Sequence, residues 1–232
     1  MSEPNIIVLG DTHGDHRHVI ELAWRHRPDA MIHVGDFDLE QPFRQAFADV
    51  LVICPLYFVA GNHDFDDATY YDHLFHDTQQ LNLHGRVVDV NGLRIAGLGG
   101  NFQSRIWYPP NVAPRFESRR EFLRTCGKGN WWRDGLPLKR RGAVWPDEVE
   151  NLATERADVL VTHEAPGCHR YGFQALTQLA HDLGARTIFH GHVHEQYTHE
   201  ADERGVTVHG IALGGAVDLA GSVVSATGQP RR

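Results

Sequence analysis

Five short apolar runs each stop at Gly or Thr, and each is followed at once by side chains that can hold a metal or a proton. "NIIVLG" (5–10) leads into Asp11, Thr12 and His13, "DAMIHVG" (29–35) into Asp36, and "PLYFVAG" (55–61) into Asn62, His63 and Asp64. "ADVLVT" (157–162) leads into His163, and "ARTIFHG" (185–191) into His192, Val193 and His194. Runs this short, rich in Ile, Val, Leu and Phe and closed by turn residues, read as strands buried on both faces. Amphipathic stretches at 16–27, 39–50, 146–156 and 173–183 lie between them and read as helices, the third with Pro146 in its first turn. Strand and helix alternate, which is the α/β pattern, and in such sheets ligands gather beyond the carboxyl ends of the strands. The five polar groups are therefore expected to meet.

Two regions break the alternation. "GRVVDVNGLRIAGLGG" (85–100) has apolar runs on either side of Asn91-Gly92, the strongest short hairpin signal, and so predicts antiparallel strands. "VTVHGIALGGAVDLAG" (206–221) reads as a second region of the same kind. Two mixed sheets follow.

At 232 residues and 41% hydrophobic content the chain can bury a large core, and we expect one domain over 1–225 with a flexible tail at 226–232. The longest apolar run, 50–61, contains Pro55 and falls short of the ~20 residues a spanning helix needs. The start of the sequence has no basic flank or small-residue cleavage site, and Cys54, Cys126 and Cys168 lack the spacing of a thiolate zinc site or a disulfide framework. No membrane association is expected, and the location is expected to be cytoplasmic.

The net charge of −8 argues against a general nucleic-acid binder. That average hides one segment: residues 102–145 hold ten Lys or Arg against Glu117, Glu121 and Asp134, together with four of the five tryptophans. This basic, Trp-rich segment reads as an insertion or lid on a more regular scaffold.

Taken singly, an Asp after a strand is more often a helix cap or turn residue, and His33, inside a strand, reads as a satisfied core histidine. The order carries the signal. D-x-H, G-D, G-N-H-D, T-H-E and G-H-x-H, in this sequence and at strand ends, resemble the calcineurin-like metallophosphoesterase superfamily. The resemblance implies a four-layer α-β-β-α sandwich and two metal ions where the strands end. One ion would be bound by Asp11, His13 and His194, the other by Asn62, His163 and His192, with the Asp36 carboxylate bridging both. His63 would be catalytic, protonating the leaving oxygen or donating to a phosphoryl oxygen. Asp15, Asp38 and Asp64 are candidates to orient His63 or a ligand imidazole.

The residue types suit that chemistry. Cations ~3.5–4 Å apart need a shared ligand, and a carboxylate can bridge where a single imidazole nitrogen cannot. Mixed imidazole, carboxylate and amide ligands suit Mn2+ first, with Fe or Zn2+ as alternatives. The implied activity is a phosphohydrolase in which a hydroxide between the ions attacks a phosphomonoester or phosphodiester. Protein phosphatases of the superfamily carry G-D-x-x-D-R-G, whereas Leu39 and Glu40 stand at the second Asp and the Arg here. The expected substrate is therefore a small or nucleotide-like anionic phosphate ester. Arg119 and Arg120 in the basic segment, and Arg170 and Tyr171 soon after His163, are candidate substrate contacts. The alternatives are a nuclease of the same superfamily, favoured only by the basic segment, and a catalytically silent scaffold, which would be expected to lack ligands that this chain has.

Overall fold

Alternate residues of the first strand, β1 (Ile6–Leu9), face two different cores. Ile7 and Leu9 pack with Val19, Leu22, Phe43, Phe47 and Leu74 under a layer of helices, while Ile6 and Val8 pack with Val159, Val161 and Phe189 of a second sheet. Period-two alternation with both faces buried is why the run contains no polar residue. The computed structural model describes residues 4–110, 113–133 and 135–225, so the tail expected at 226–232 lies outside the described residues.

The first sheet orders β11 (Val223–Ser225), β10 (Ala216–Asp218), β1, β2 (Ala30–His33) and β3 (Leu56–Phe58). β1, β2 and β3 run parallel, and β10 pairs antiparallel with β1. The second sheet orders β4 (Arg86–Val90), β5 (Leu93–Leu98), β6 (Val159–Thr162), β7 (Thr187–His190), β9 (Thr207–Gly210) and β8 (Tyr197–His199). β5, β6, β7 and β9 are parallel, with antiparallel β4 and β8 at the edges.

Helices α1 (Arg17–His26), α2 (Phe43–Ala46), α3 (Ala48–Leu51) and α4 (Ala68–Phe75) supply the outer partners of the first sheet. Residues of the later helices α7 (Pro146–Leu152) and α8 (Gln174–Leu183), among them Leu152, Leu176, Leu179 and Leu183, pack on Leu160 and Ile188 of the second. The result is an α-β-β-α sandwich with three apolar layers. Between β5 and α7 the segment 102–145 carries α5 (Arg119–Thr125) and α6 (Leu138–Arg141) and a small cluster of Ile106, Leu136, Ala143 and Trp145.

Two predicted elements differ. The helix expected over 39–50 is two short pieces beginning only after Pro42, because proline cannot donate within a helix and suits only its first turn. The expected 206–221 antiparallel pair is split: β9 stays in the second sheet parallel to β7, and the chain then crosses to place β10 in the first. The crossing is fixed where Gly10 N–H donates to the Gly215 carbonyl at 2.9 Å.

Candidate metal centre

Asp11, His13, Asp36, Asn62, His163, His192 and His194 all lie within four residues of the ends of β1, β2, β3, β6 and β7, at one edge shared by the two sheets. Their side-chain atoms fall into two adjacent groups that could each hold a metal ion: Asp11, His13 and His194, and Asp36, His163 and His192.

In the first group His13 Nε2 is 3.3 Å from His194 Nε2, and His194 Nε2 is 3.0 Å from Asp11 Oδ2. His13 Nδ1 meets Asp38 Oδ2 at 2.9 Å, which keeps the proton on Nδ1 and leaves the Nε2 lone pair facing inward. In the second group His163 Nδ1 donates to the Val34 carbonyl at 2.8 Å, so its Nε2 is likewise an inward lone pair. That nitrogen faces three further acceptor-type atoms: Asn62 Oδ1 at 3.1 Å, His192 Nδ1 at 3.2 Å and Asp36 Oδ2 at 3.4 Å. Asp36 Oδ2 is also 3.9 Å from His13 Nε2, so this one oxygen lies between the groups. Asp11 Oδ1 is buried with no hydrogen-bond partner. Lone pairs gathered this closely, with a carboxylate oxygen left bare, are unfavourable unless positive charge sits among them, and the donor set fits divalent cations.

The protein alone answers with protons. Burial by itself would lower the pKa of His163, but the carboxylates of Asp36 and Asp11 outweigh it and raise it to about 10. Burial would raise Asp36, yet His163 holds its carboxyl well below the usual range. His192 is lowered to about 4 by burial and by neighbouring His163.

The backbone is shaped to bring these atoms together. A Cβ on Gly61 would strike the Asp36 carboxylate and the His163 ring, and one on Gly191 would strike the Asp11 carboxylate. The glycines that open G-N-H-D and G-H-x-H thus permit close approach of backbone to ligands. His192 and His194 both lie past β7 with positive φ, 66° and 56°, and face different groups. His13, Asp36 and Asp38 share that left-handed conformation at 41°, 54° and 54°, a costly geometry that the surrounding structure must hold in place. Asp64 does part of this by accepting from the N–H groups of Asp36 (3.0 Å), Phe37 (2.8 Å) and Gly61 (2.8 Å), tying the loop after β2 to the loop after β3. It is pushed up to about 7 by burial and by Asp36.

His63 stands at the solvent side of the groups, 46% exposed, its ring 5.1 Å from that of His13. Its backbone N–H donates to Asp36 Oδ1 at 2.8 Å and its Nδ1 meets Asp66 Oδ2 at 2.9 Å. The other carboxylates singled out in the sequence lie elsewhere. Asp38 holds His13, Asp64 holds backbone, and Asp15 pairs with Arg17 at 2.6 Å on the surface without touching a candidate ligand.

Two cavities open from the centre and share Asn101, Phe102 and Tyr108. One of about 460 Å3 runs from Asn62 towards Arg105 and Arg140. The other, about 520 Å3, contains His192, Glu164, Arg170 and Tyr171. Arg119 lies in neither: it bonds Glu148 and the Arg141 carbonyl beside a separate cavity of about 180 Å3, and Arg120 is exposed next to it. Sequence reading did not single out Asp66 or Glu164. Glu164 accepts from Phe102 N–H at 3.2 Å, lies 3.6 Å from His192 Nε2 and is pushed up to about 7 by burial. Its position directly after His163 in T-H-E was the available signal.

Residues 4–196 match the family model described as calcineurin-like phosphoesterase. An uncharacterised protein of Haemophilus influenzae is 37% identical over 195 residues, covering 84% of this chain and 85% of its own. Among solved structures, TT1561 of Thermus thermophilus shares the fold with TM-score 0.61 at 13% identity, covering 97% of this chain and 99% of that one. A phosphopantetheinyl hydrolase of Mycobacterium tuberculosis does so with TM-score 0.53 at 16% identity, covering 91% and 90%.

Proposed function

The chain belongs to the calcineurin-like phosphoesterase family, and from that premise we propose that it hydrolyses small phosphate esters at two divalent cations sharing Asp36. It is a metal-dependent hydrolase of phosphate esters with two candidate metal-binding groups. The observation that carries the dinuclear reading is Asp36 Oδ2, placed 3.4 Å from His163 Nε2 and 3.9 Å from His13 Nε2.

In this reading Asp11, His13 and His194 would hold one cation and Asn62, His163 and His192 the other, and Mn2+ would suit the set best, ahead of Fe or Zn2+. When bound, such a pair of cations supplies a nucleophile at neutral pH and neutralises charge on the phosphoryl oxygens. The chain's own residues do the rest. Asp38 and the Val34 carbonyl hold the His13 and His163 rings with Nε2 inward. Asp66 fixes His63 through Nδ1, leaving Nε2 to donate a proton to the leaving oxygen or a hydrogen bond to a phosphoryl oxygen. Arg170 and Tyr171 line the cavity beside His192, where they can contact substrate. Phe102, Arg105, Tyr108 and Arg140 of the basic segment line the cavities beside the centre.

Among the described residues no helix is long and apolar enough to cross a membrane. Free Cys54, Cys126 and Cys168 support a reducing compartment such as the cytoplasm.

Metal-loaded protein incubated with p-nitrophenyl phosphate, its bis ester, cyclic nucleotides and single-stranded DNA tests the reading. Turnover of a small ester is expected; cleavage of DNA alone would make it a nuclease, and no turnover of any ester would make it a silent scaffold.

A further inference from the structure

We propose that the substrate carries a second phosphate, seated on Arg105 and Arg140 in the cavity that opens from Asn62. The inference rests on the phosphohydrolase reading above and narrows its substrate class.

The cavity holds about 460 Å3, within the range of small-molecule sites. Asn62 lines it from the metal centre, its Oδ1 3.1 Å from His163 Nε2, and none of the other six candidate ligands does. Arg105, Lys139 and Arg140 supply its positive charge. Lys139 is paired with Asp66 at 3.2 Å, and the same carboxylate holds His63. The two guanidiniums are different. Arg105 is exposed and has no hydrogen-bond or ion-pair partner among the described residues, and Arg140 reaches only the side-chain oxygen of Gln103. They are close enough that Arg140, half-buried, has its pKa lowered by burial and then by Arg105.

Elsewhere in the same segment, Arg115, Arg120, Arg124 and Lys128 are exposed and line no part of this cavity, and three other arginines are compensated. Arg119 is matched to Glu148 and Arg133 to Asp72, and Arg141 lies over the rings of Tyr71 and Trp132. The chain has 30 Asp and Glu and a net charge of −8, yet among the described residues no carboxylate forms an ion pair with Arg105 or Arg140. Two like charges held together without a counterion raise the local potential and form a site for an anion. Planar guanidinium forks match phosphate oxygens in pairs, which favours a phosphate over a less charged group. Because these arginines share a cavity with one candidate ligand only, they suit a group set to one side of the ester being cleaved. A small bisphosphate or nucleotide polyphosphate meets that description, with one phosphate at the metal centre and another on the arginines.

A ladder of alkanediol bisphosphates of increasing chain length tests this, alongside matching alkyl phosphates and phosphooxy carboxylates. For at least one length the bisphosphate should exceed the alkyl phosphate in kcat/KM by about 10-fold or more, since a charge-assisted pair is worth at least that. In Arg105→Gln, and more fully with Arg140→Gln added, the ratio should fall towards one. Arg105 is exposed, so the single variant keeps the test valid should the double variant fold poorly. Calorimetric binding of each compound to metal-loaded protein gives the same ratio without turnover, so a chain that hydrolyses nothing fails the phosphohydrolase reading while the anion site is still judged. No preference at any length, a carboxylate preferred over the second phosphate, or a preference that survives Arg105→Gln with Arg140→Gln would overturn the proposal.

Discussion

In the metal centre every candidate ligand lies within four residues of a strand end, and the two sheets hold the backbone that carries it. Among the described residues of 102–145 there are two short α-helices, one 3-10 turn (Lys128–Asn130) and a small apolar cluster, and long side chains tie the segment down: Arg133 to Asp72 at 2.6 Å, Arg119 to Glu148, and Arg141 over Tyr71 and Trp132. A side chain at a strand end can change while the fold stands, because backbone hydrogen bonds and buried apolar surface support it. In the basic segment the side chain is itself the support. Substitutions in the first region should therefore move chemistry, and those in the second should move stability or substrate choice.

The hardest blow to the centre is Asp36→Asn, which weakens the one oxygen placed between the two groups. Metal analysis should show both ions depleted, and turnover should drop to background, while circular dichroism keeps the parent signature. His63→Ala separates catalysis from ligation: two ions retained and turnover lower by roughly 10^2 to 10^4, the usual contribution of a positioned acid or donor. Compared across good and poor leaving groups, a uniform loss in that variant assigns His63 to charge stabilisation and a loss that grows with poor leaving groups assigns it to proton donation.

Asp38→Asn probes the support of a ligand. Loss of the carboxylate that fixes His13 Nδ1 should weaken one metal's affinity by about 10- to 100-fold, with the second site spared. A titration in which both sites weaken equally would show that the groups do not act separately.

The smallest effect belongs to the anchor of the other region, Glu148 of α7, which holds Arg119. Burial would raise the pKa of Glu148, but His84 and Arg119 outweigh it and hold the group at about 2, against 4.5 when free. A depressed carboxylate stabilises the fold above its free pKa and loses that contribution as pH falls through its folded value. Glu148→Gln should therefore cost on the order of 1 to 2 kcal/mol at neutral pH, and parent and variant should converge as pH drops from about 4.5 towards 2. Metal content should not change; if it does, the segment and the centre are one mechanical unit and the contrast fails.

The same contrast explains what could be read from the sequence. Strand ends were visible because a strand buried on both faces is an uninterrupted apolar run, and the polar residue that breaks it marks the end: Gly10 before Asp11, Gly35 before Asp36, Thr162 before His163. The role of Gly61 and Gly191 was only half legible, since their motif positions are plain but the Asp36 and Asp11 carboxylates they admit come from other strands. Contacts such as Phe102 N–H to Glu164 or His63 to Asp66 depend on loop paths that no periodicity encodes. Arg119 and Arg120 were singled out from the basic, Trp-rich segment, while Arg105 and Arg140, 35 positions apart and brought into one cavity by the fold, were not. The 206–221 region misled because two apolar runs around glycines look alike whether the chain turns back on itself or, as at Gly214-Gly215, crosses to another sheet.

Anomalous diffraction from crystals of Mn2+-loaded protein tests the central claim most directly. The account predicts two peaks about 3.5–4 Å apart, each within bonding distance of Asp36, one also touching Asp11, His13 and His194 and the other Asn62, His163 and His192. A single peak, or two peaks of which one has no contact with Asp36, would contradict it.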